Sequence, residues 1–202
     1  METKTPPAPV FGLVLAGGAS RRMNHDKALL DYHGKPQLVW TYELLSRVCE
    51  RVFVSVREDQ SEEPVRSGLP QIVDSETGLG PAGGILSAQK AYPTAAWLVV
   101  ACDLPYLDEE TLQALLNRRD PSQHATAFRS THDGLPEPLC AIWEPSSNQA
   151  LEEFVRSGVN CPRKFLINSA TKLLEQDSSN ALDNINTPDE RRSARQEFTL
   201  NQ

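Results

Sequence analysis

Short apolar runs alternate along this chain with stretches whose apolar residues recur at helical spacing. Val10–Leu15 is an apolar run that enters a glycine-rich turn, the pattern of a buried strand. Over residues 36–50 the apolar positions Leu38, Val39, Tyr42, Leu45, Val48 and Cys49 recur every three or four residues behind a proline, and predict a helix. Val52–Val56 predicts a second strand and residues 72–73 a short third. Pro81–Ala91 predicts a helix, and Ala96–Ala101 a continuous apolar strand buried on both faces. Residues 108–118 read as a helix with an acidic start and a basic end, as the helix dipole favours. The second half is less regular. Strands are predicted at 125–128, 139–143, 172–174 and 182–185, and helices at 145–155 and Pro162–Asn168. Alternating strands and helices imply a single α/β domain: a mostly parallel sheet with helices on both faces, and ligands beyond the carboxyl ends of its strands. The expected organisation is a disordered polar leader over residues 1–9, a domain over 10–195 and a tail over 196–202.

Bulk properties narrow the function classes. The 202 residues are 39% hydrophobic and 23% charged, with a net charge of −7, which suits an ordinary globule and argues against general nucleic-acid binding. A phosphate-bearing small ligand remains open, since it needs only a few cations in one place. The longest apolar run, 95–102, is far too short to span a bilayer, and the first nine residues carry no apolar signal segment. Cys49, Cys102, Cys140 and Cys161 match no zinc spacing and read as small buried hydrophobes in a reduced, cytosolic protein. His25, His33, His124 and His132 show no metal spacing and read as surface or loop residues, while Trp40, Trp97 and Trp143 read as core.

The densest chemical signal is Leu15-Ala16-Gly17-Gly18-Ala19-Ser20-Arg21-Arg22-Met23, followed by Asp26-Lys27-Ala28. Small residues let backbone N–H groups approach phosphate oxygens, and Arg22 and Lys27 can neutralise a triphosphate. No Walker A pattern occurs, and Ser20 has no evident histidine base that would make it a nucleophile. Asp103, in Cys102-Asp103-Leu104-Pro105-Tyr106, follows a strand buried on both faces. It suits either a turn cap or a ligand for Mg²⁺, which takes one or two carboxylates plus substrate phosphates. Gly78 to Gly84 contains a literal GxGxxG, with Asp103 after the next strand. As a dinucleotide site it is weakened by the residues between strand and first glycine, by Pro81 inside the loop, and by leaving the 15–27 cluster without a role. A second glycine-rich wall around a nucleotide, including Gly83, fits better. Asp74 ends the short third strand, where a carboxylate can accept two hydrogen bonds from guanine or a ribose, or simply cap a turn. Asn186 precedes a Thr187-Pro188 capping pattern and has a local backbone role as its plain alternative.

Taken in order, L-A-G-G-x-S-x-R-M…D-K-A, V-D-S…G-P-A-G-G, C-D-L-P-Y and N-I-N-T-P resemble the molybdenum cofactor guanylyltransferases, over nearly the whole chain. The resemblance implies a single Rossmann-like three-layer domain of the nucleotide-diphospho-sugar transferase type. It implies transfer of GMP from GTP to molybdopterin with release of pyrophosphate. It also implies Mg²⁺ as cofactor, no nucleic-acid or membrane partner, and room for other molybdenum cofactor biosynthesis proteins as partners. Carried over, Leu15, Ala16, Gly17 and Gly18 contact the nucleotide, Lys27 the phosphates, Asp74 the nucleoside, and Asp103 both metal and nucleotide. Arg22, Tyr106, Asn184 and Asn186 belong to the acceptor side. Two positions depart from the pattern: Asn24 stands where the family usually has glycine, and Ser55 where it often has asparagine. L-A-G-G favours GTP over the L-A-A-G of the cytidylyl branch. CTP on molybdopterin, a nucleotide-sugar synthesis and a non-catalytic nucleotide-binding module are the alternatives.

Overall fold

A computed structural model describes residues 6–17, 26–177 and 180–185. The apolar runs form Val10–Leu15 (β1), Val52–Val56 (β2), Gln71–Val73 (β3) and Ala96–Ala101 (β4). Ala125–Arg129 (β5), Pro136–Trp143 (β6) and Thr171–Leu174 (β7) complete one seven-stranded sheet in the order β3-β2-β1-β4-β6-β5-β7. β6 runs antiparallel to both its neighbours, and every other pairing is parallel. The helices are Gln37–Ser46 (α1), Pro64–Ser67 (α2), Pro81–Ala91 (α3), Glu109–Asn117 (α4), Ser147–Arg156 (α5) and Pro162–Asn168 (α6). Among the described residues no helix is long and apolar enough to cross a membrane.

Successive strand residues point to opposite faces, and the core divides accordingly. Val14, Val52, Val54 and Val100 meet Leu38 and Leu45 of α1 and Leu112 and Leu115 of α4. Leu13, Phe53, Trp97 and Val99 meet Ile85 of α3, Leu151 of α5 and Phe165 of α6. Helices thus cover both faces, which is why β1, β2 and β4 are almost continuously apolar instead of alternating, with Ser55 at the end of β2 the exception. Gly12 lets α1 settle on β1, because a Cβ there would lie 2.9 Å from Leu45 Cδ2 and 3.1 Å from Val52 Cγ2.

The chain leaves β1 toward β2 and β3 on one side, then returns to place β4 on the other. Leu15 pairs with Ala101 in register, so the carboxyl ends of β1 and β4 lie side by side at the point where the strand order reverses. Open α/β sheets hold their ligands in the crevice at such a point.

Several expectations need correction. Residues 182–185 form no strand: Ile185 N–H bonds the Asp103 carbonyl at 3.4 Å, beyond the end of β4, and Ile185 packs with Leu30 and Tyr32. The segment crosses the end of the sheet, where no strand edge is available to it. The short helix α2 and the 3-10 turns Lys27–Leu29 and Glu58–Gln60 were not anticipated. His33 is no plain loop residue. Its ring stacks on Trp40 at 4.1 Å, its Nε2–H donates to the Pro105 carbonyl at 3.0 Å, and burial lowers its pKa. Cys49, Cys102 and Cys140 are buried, and burial pushes each thiol up to about 12. His25, residues 1–5 of the expected leader, and residues 186–202, which include the tail, lie outside the described residues.

Candidate active site

Beyond Leu15 the chain keeps the direction of β1 for one more bond, Ala16 N–H to the Ser55 carbonyl at 3.2 Å. On the other side Cys102 N–H donates to the Leu15 carbonyl at 3.3 Å. These bonds pin Leu15, Ala16 and Gly17 between the ends of β2 and β4. A cavity of about 330 Å³ opens there, within the usual range for small-ligand sites. Leu15, Ala16, Gly17, Lys27, Ser55, Asp74 and Asp103 all line it.

Two groups of charge face the cavity. The first is Lys27 with Asp103, whose Nζ and Oδ2 lie 3.2 Å apart with side chains 20% and 25% exposed. Lys27 is presented by its 3-10 turn, which Asp26 caps by accepting the Ala28 N–H at 3.0 Å. Asp103 is presented by the end of β4. Residues 76 positions apart thus meet over the carboxyl edge of the sheet, as a partly exposed ion pair that a more highly charged ligand can open.

The second group is Ser55, Arg57 and Asp74. Ser55 Oγ donates to Asp74 Oδ1 at 2.8 Å, a contact set up by the parallel register of β2 and β3. Arg57 donates to the Gly17 carbonyl and, through Nε and Nη2, to both oxygens of Asp59 at 2.9 Å. Burial raises the Asp74 pKa above the ordinary aspartate value, and the Ser55 bond and the Arg57 charge oppose that only in part. The folded chain therefore holds this proton more tightly than the unfolded chain. Its stabilising contribution is fully present below the unfolded value and is lost as pH rises through the folded one. Asp74→Asn is accordingly expected to raise the melting temperature at pH 7, with the advantage vanishing near the ordinary aspartate pKa of about 3.9. Thermal melts of both proteins at the two pH values check this, and a lower melting temperature for the variant at pH 7 contradicts it.

The described residues contain no group of three or more His, Cys, Asp or Glu arranged to hold a metal. A single carboxylate beside a lysine, opening on a cavity, is compatible with a metal that takes most of its ligands from substrate and water.

A family model described as the MobA-like NTP transferase domain matches residues 12–173, which run from within β1 to within β7. The chain belongs to the MobA-like NTP transferase family. It is 32% identical over 181 residues to a probable molybdenum cofactor guanylyltransferase from Synechococcus elongatus, covering 87% of this chain and 93% of that one. It is 37% identical over 182 residues to a molybdenum cofactor biosynthesis bifunctional protein from Synechocystis sp., covering 90% of this chain. The chain spans about half the length of that relative, 52%. In structure it is similar to molybdopterin-guanine dinucleotide biosynthesis protein A from Archaeoglobus fulgidus, with a TM-score of 0.79 at 24% identity over 94% of this chain and 99% of that one. It is also similar to CMP:2-keto-3-deoxy-manno-octonic acid synthetase complexed with CTP, with a TM-score of 0.73 at 14% identity over 96% and 100% of the two chains. At these identities the two structures speak for the fold alone.

In this MobA-like domain most of the residues singled out in the sequence converge on one cavity, and two described glycines, Gly83 and Gly84, sit differently from what was expected. Gly83 stands in the first turn of α3, where its α-carbon faces Leu79 and the Glu76 carbonyl, and it is not among the cavity-lining residues. Gly84 serves packing: a Cβ there would collide with Ser55 Oγ and Leu15 Cδ2, so the glycine lets α3 pass directly beneath the cavity floor. The glycine-rich wall is instead made by Gly78 and Gly80, both at positive φ (84° and 58°) and both lining the cavity. Tyr106 packs against Leu30, Tyr32 and Ile185 beside the cavity, and Asn184 is exposed one residue before the Ile185 that bonds Asp103. Gly18, Arg22, Asn24 and Asn186 lie outside the described residues. Arg57, a lining residue, was missed, although its position two residues after Ser55 at the end of β2 was a usable signal. Arg66 was missed as well, and no local pattern marks it.

Proposed function

We propose that this chain transfers GMP from GTP to molybdopterin, using Mg²⁺ and releasing pyrophosphate, to form molybdopterin guanine dinucleotide. The observation that carries the reading is the Lys27–Asp103 pair over the switch point of the sheet, beside the Leu15-Ala16-Gly17 backbone. The names of the relatives supply the acceptor.

The acceptor is a phosphate monoester, ionised near neutral pH, so no strong general base is needed, and no histidine is among the described cavity-lining residues. An acceptor oxygen attacks the α-phosphorus of GTP. A new P–O bond forms as the bond to the bridging oxygen breaks, and pyrophosphate leaves with that electron pair. The protein's task is alignment and neutralisation of charge. Lys27 neutralises phosphate oxygens, the Ala16 and Gly17 backbone keeps the approach close, and Ser55 and Asp74 hold the nucleoside end. Asp103 would hold Mg²⁺ together with the phosphates, and the ion would supply electrostatic stabilisation of the charge on the leaving group. Arg22, Tyr106, Asn184 and Asn186 would serve the acceptor side. The same cavity suits CTP on molybdopterin or a nucleoside triphosphate on a sugar phosphate, so the base is the point to test.

GTP is expected to raise the melting temperature more than CTP, ATP or NAD at equal concentration with Mg²⁺, and calorimetry should rank the affinities in the same order. A ligand at 100 times its Kd stabilises by about 2.7 kcal/mol. Tighter binding of CTP moves the chain to the cytidylyl reading. Tighter binding of NAD turns the Gly78 to Gly83 stretch into the dinucleotide site and overturns the proposal.

A further inference from the structure

Arg66 is the one fully buried arginine side chain among the described ion pairs, 0% exposed, and it sits in the four-residue helix α2, outside the cavity lining. Its Nη1 donates to Glu63 Oε2 at 3.1 Å. Its Nη2 donates to the Ala16 carbonyl at 3.1 Å and to Asp26 Oδ2 at 2.7 Å. Its Nε has no hydrogen-bond partner. A charge so deeply buried is a poor source of stability, because desolvation offsets the attraction. What the contacts accomplish is geometric. Ala16 and Asp26 flank the glycine-rich stretch, ten residues apart, and one guanidinium nitrogen holds both. Asp26 is occupied on its two oxygens at once: Oδ2 by Arg66, and Oδ1 by the Ala28 N–H that starts the turn presenting Lys27.

We propose that Arg66 is a positioning residue for the phosphate site. Through Asp26 it fixes the Lys27 turn against the end of β1, so that the Lys27 ammonium and the Ala16–Gly17 backbone address the same phosphate group. The inference rests on the triphosphate-binding reading above, and it concerns the phosphates and not the base.

Arg66→Lys keeps the charge but cannot supply a rigid fork to Glu63, Asp26 and the Ala16 carbonyl together. Calorimetry with GTP and with CTP, and kcat/KM for GTP, are measured well below the melting temperature for the wild type, Arg66→Lys, Lys27→Ala and the double variant. The expected result is a loss of about tenfold or more in Arg66→Lys, equal for both nucleotides, with the double variant no worse than Lys27→Ala beyond about twofold, the mark of two residues acting through one contact. Unchanged affinity in Arg66→Lys, or losses that multiply in the double variant, overturns the inference while leaving the functional reading intact. If Arg66→Lys does not fold, Glu63→Gln loosens the same grip from its more exposed side. A smaller loss that again fails to multiply with Lys27→Ala supports the inference, and wild-type affinity or a multiplicative loss overturns it. A wild-type chain that binds neither nucleotide overturns the functional reading and this inference with it.

Discussion

Asp103→Asn is expected to leave a folded protein whose nucleotidyl transfer is slower by about 100-fold or more, the scale of losing one preorganised charge at a reacting phosphate. The fold should survive because the backbone around Asp103 is held independently of its carboxylate. Cys102 N–H bonds the Leu15 carbonyl, and the Asp103 carbonyl accepts the Ile185 N–H. The side chain is a quarter exposed and belongs to no apolar cluster, and asparagine matches it in size. Only the charge goes, and with it the partner of Lys27 and the proposed anchor for Mg²⁺. Circular dichroism and guanylyl transfer measured on the same preparation decide the matter: native secondary structure with near-normal turnover removes Asp103 from the chemistry.

Lys27→Ala should damage nucleotide use far more than Lys35→Ala, although each removes one positive charge from the same stretch of chain. Lys35 Nζ pairs with Glu43 at 2.7 Å, with both side chains about two-fifths exposed (39% and 45%), and neither residue lines the cavity. Such surface pairs contribute up to about 1 kcal/mol and are screened by salt. Lys27 is 20% exposed, lines the cavity and sits on a capped turn. A charge-assisted bond lost there costs about 1.5–3 kcal/mol, or about one to two powers of ten in kcat/KM. Comparing kcat/KM for GTP at moderate salt separates the two, and a larger loss at Lys35 would move the phosphate site away from Lys27.

Much of this was legible in the sequence. β1, β2, β4, α3 and α6 have the bounds that their apolar runs and leading prolines announce, because burial on both faces and proline at a helix start are local signals. Asp103 was legible because it stands just after the apolar run of β4, and Lys27 because it follows the glycine-rich stretch after β1. What was lost depends on pairing across the fold. The Ser55–Asp74 bond follows from the β2–β3 register, and Arg66, besides Glu63 three residues before it, finds partners 40 and 50 residues away that its neighbours in sequence do not announce. Residues 182–185, read as a strand although Asp183 and Asn184 disfavour one, meet the end of β4 through the Ile185–Asp103 bond. Gly83 and Gly84 were credited to a ligand when the demand on them is the approach of α3 to Leu15, Ser55 and the neighbouring loop.

The contact between Lys27 and Asp103 would also link the two proposed ligands thermodynamically. In the ligand-free chain each charge satisfies the other, so a phosphate that claims Lys27 must draw it from Asp103, and a cation that claims Asp103 must draw it from Lys27. The work of separating the pair is done once. Whichever ligand arrives first does it, and the second binds a group already released. On the proposed reading metal and nucleotide would strengthen each other's binding, and by reciprocity each would do so by the same factor.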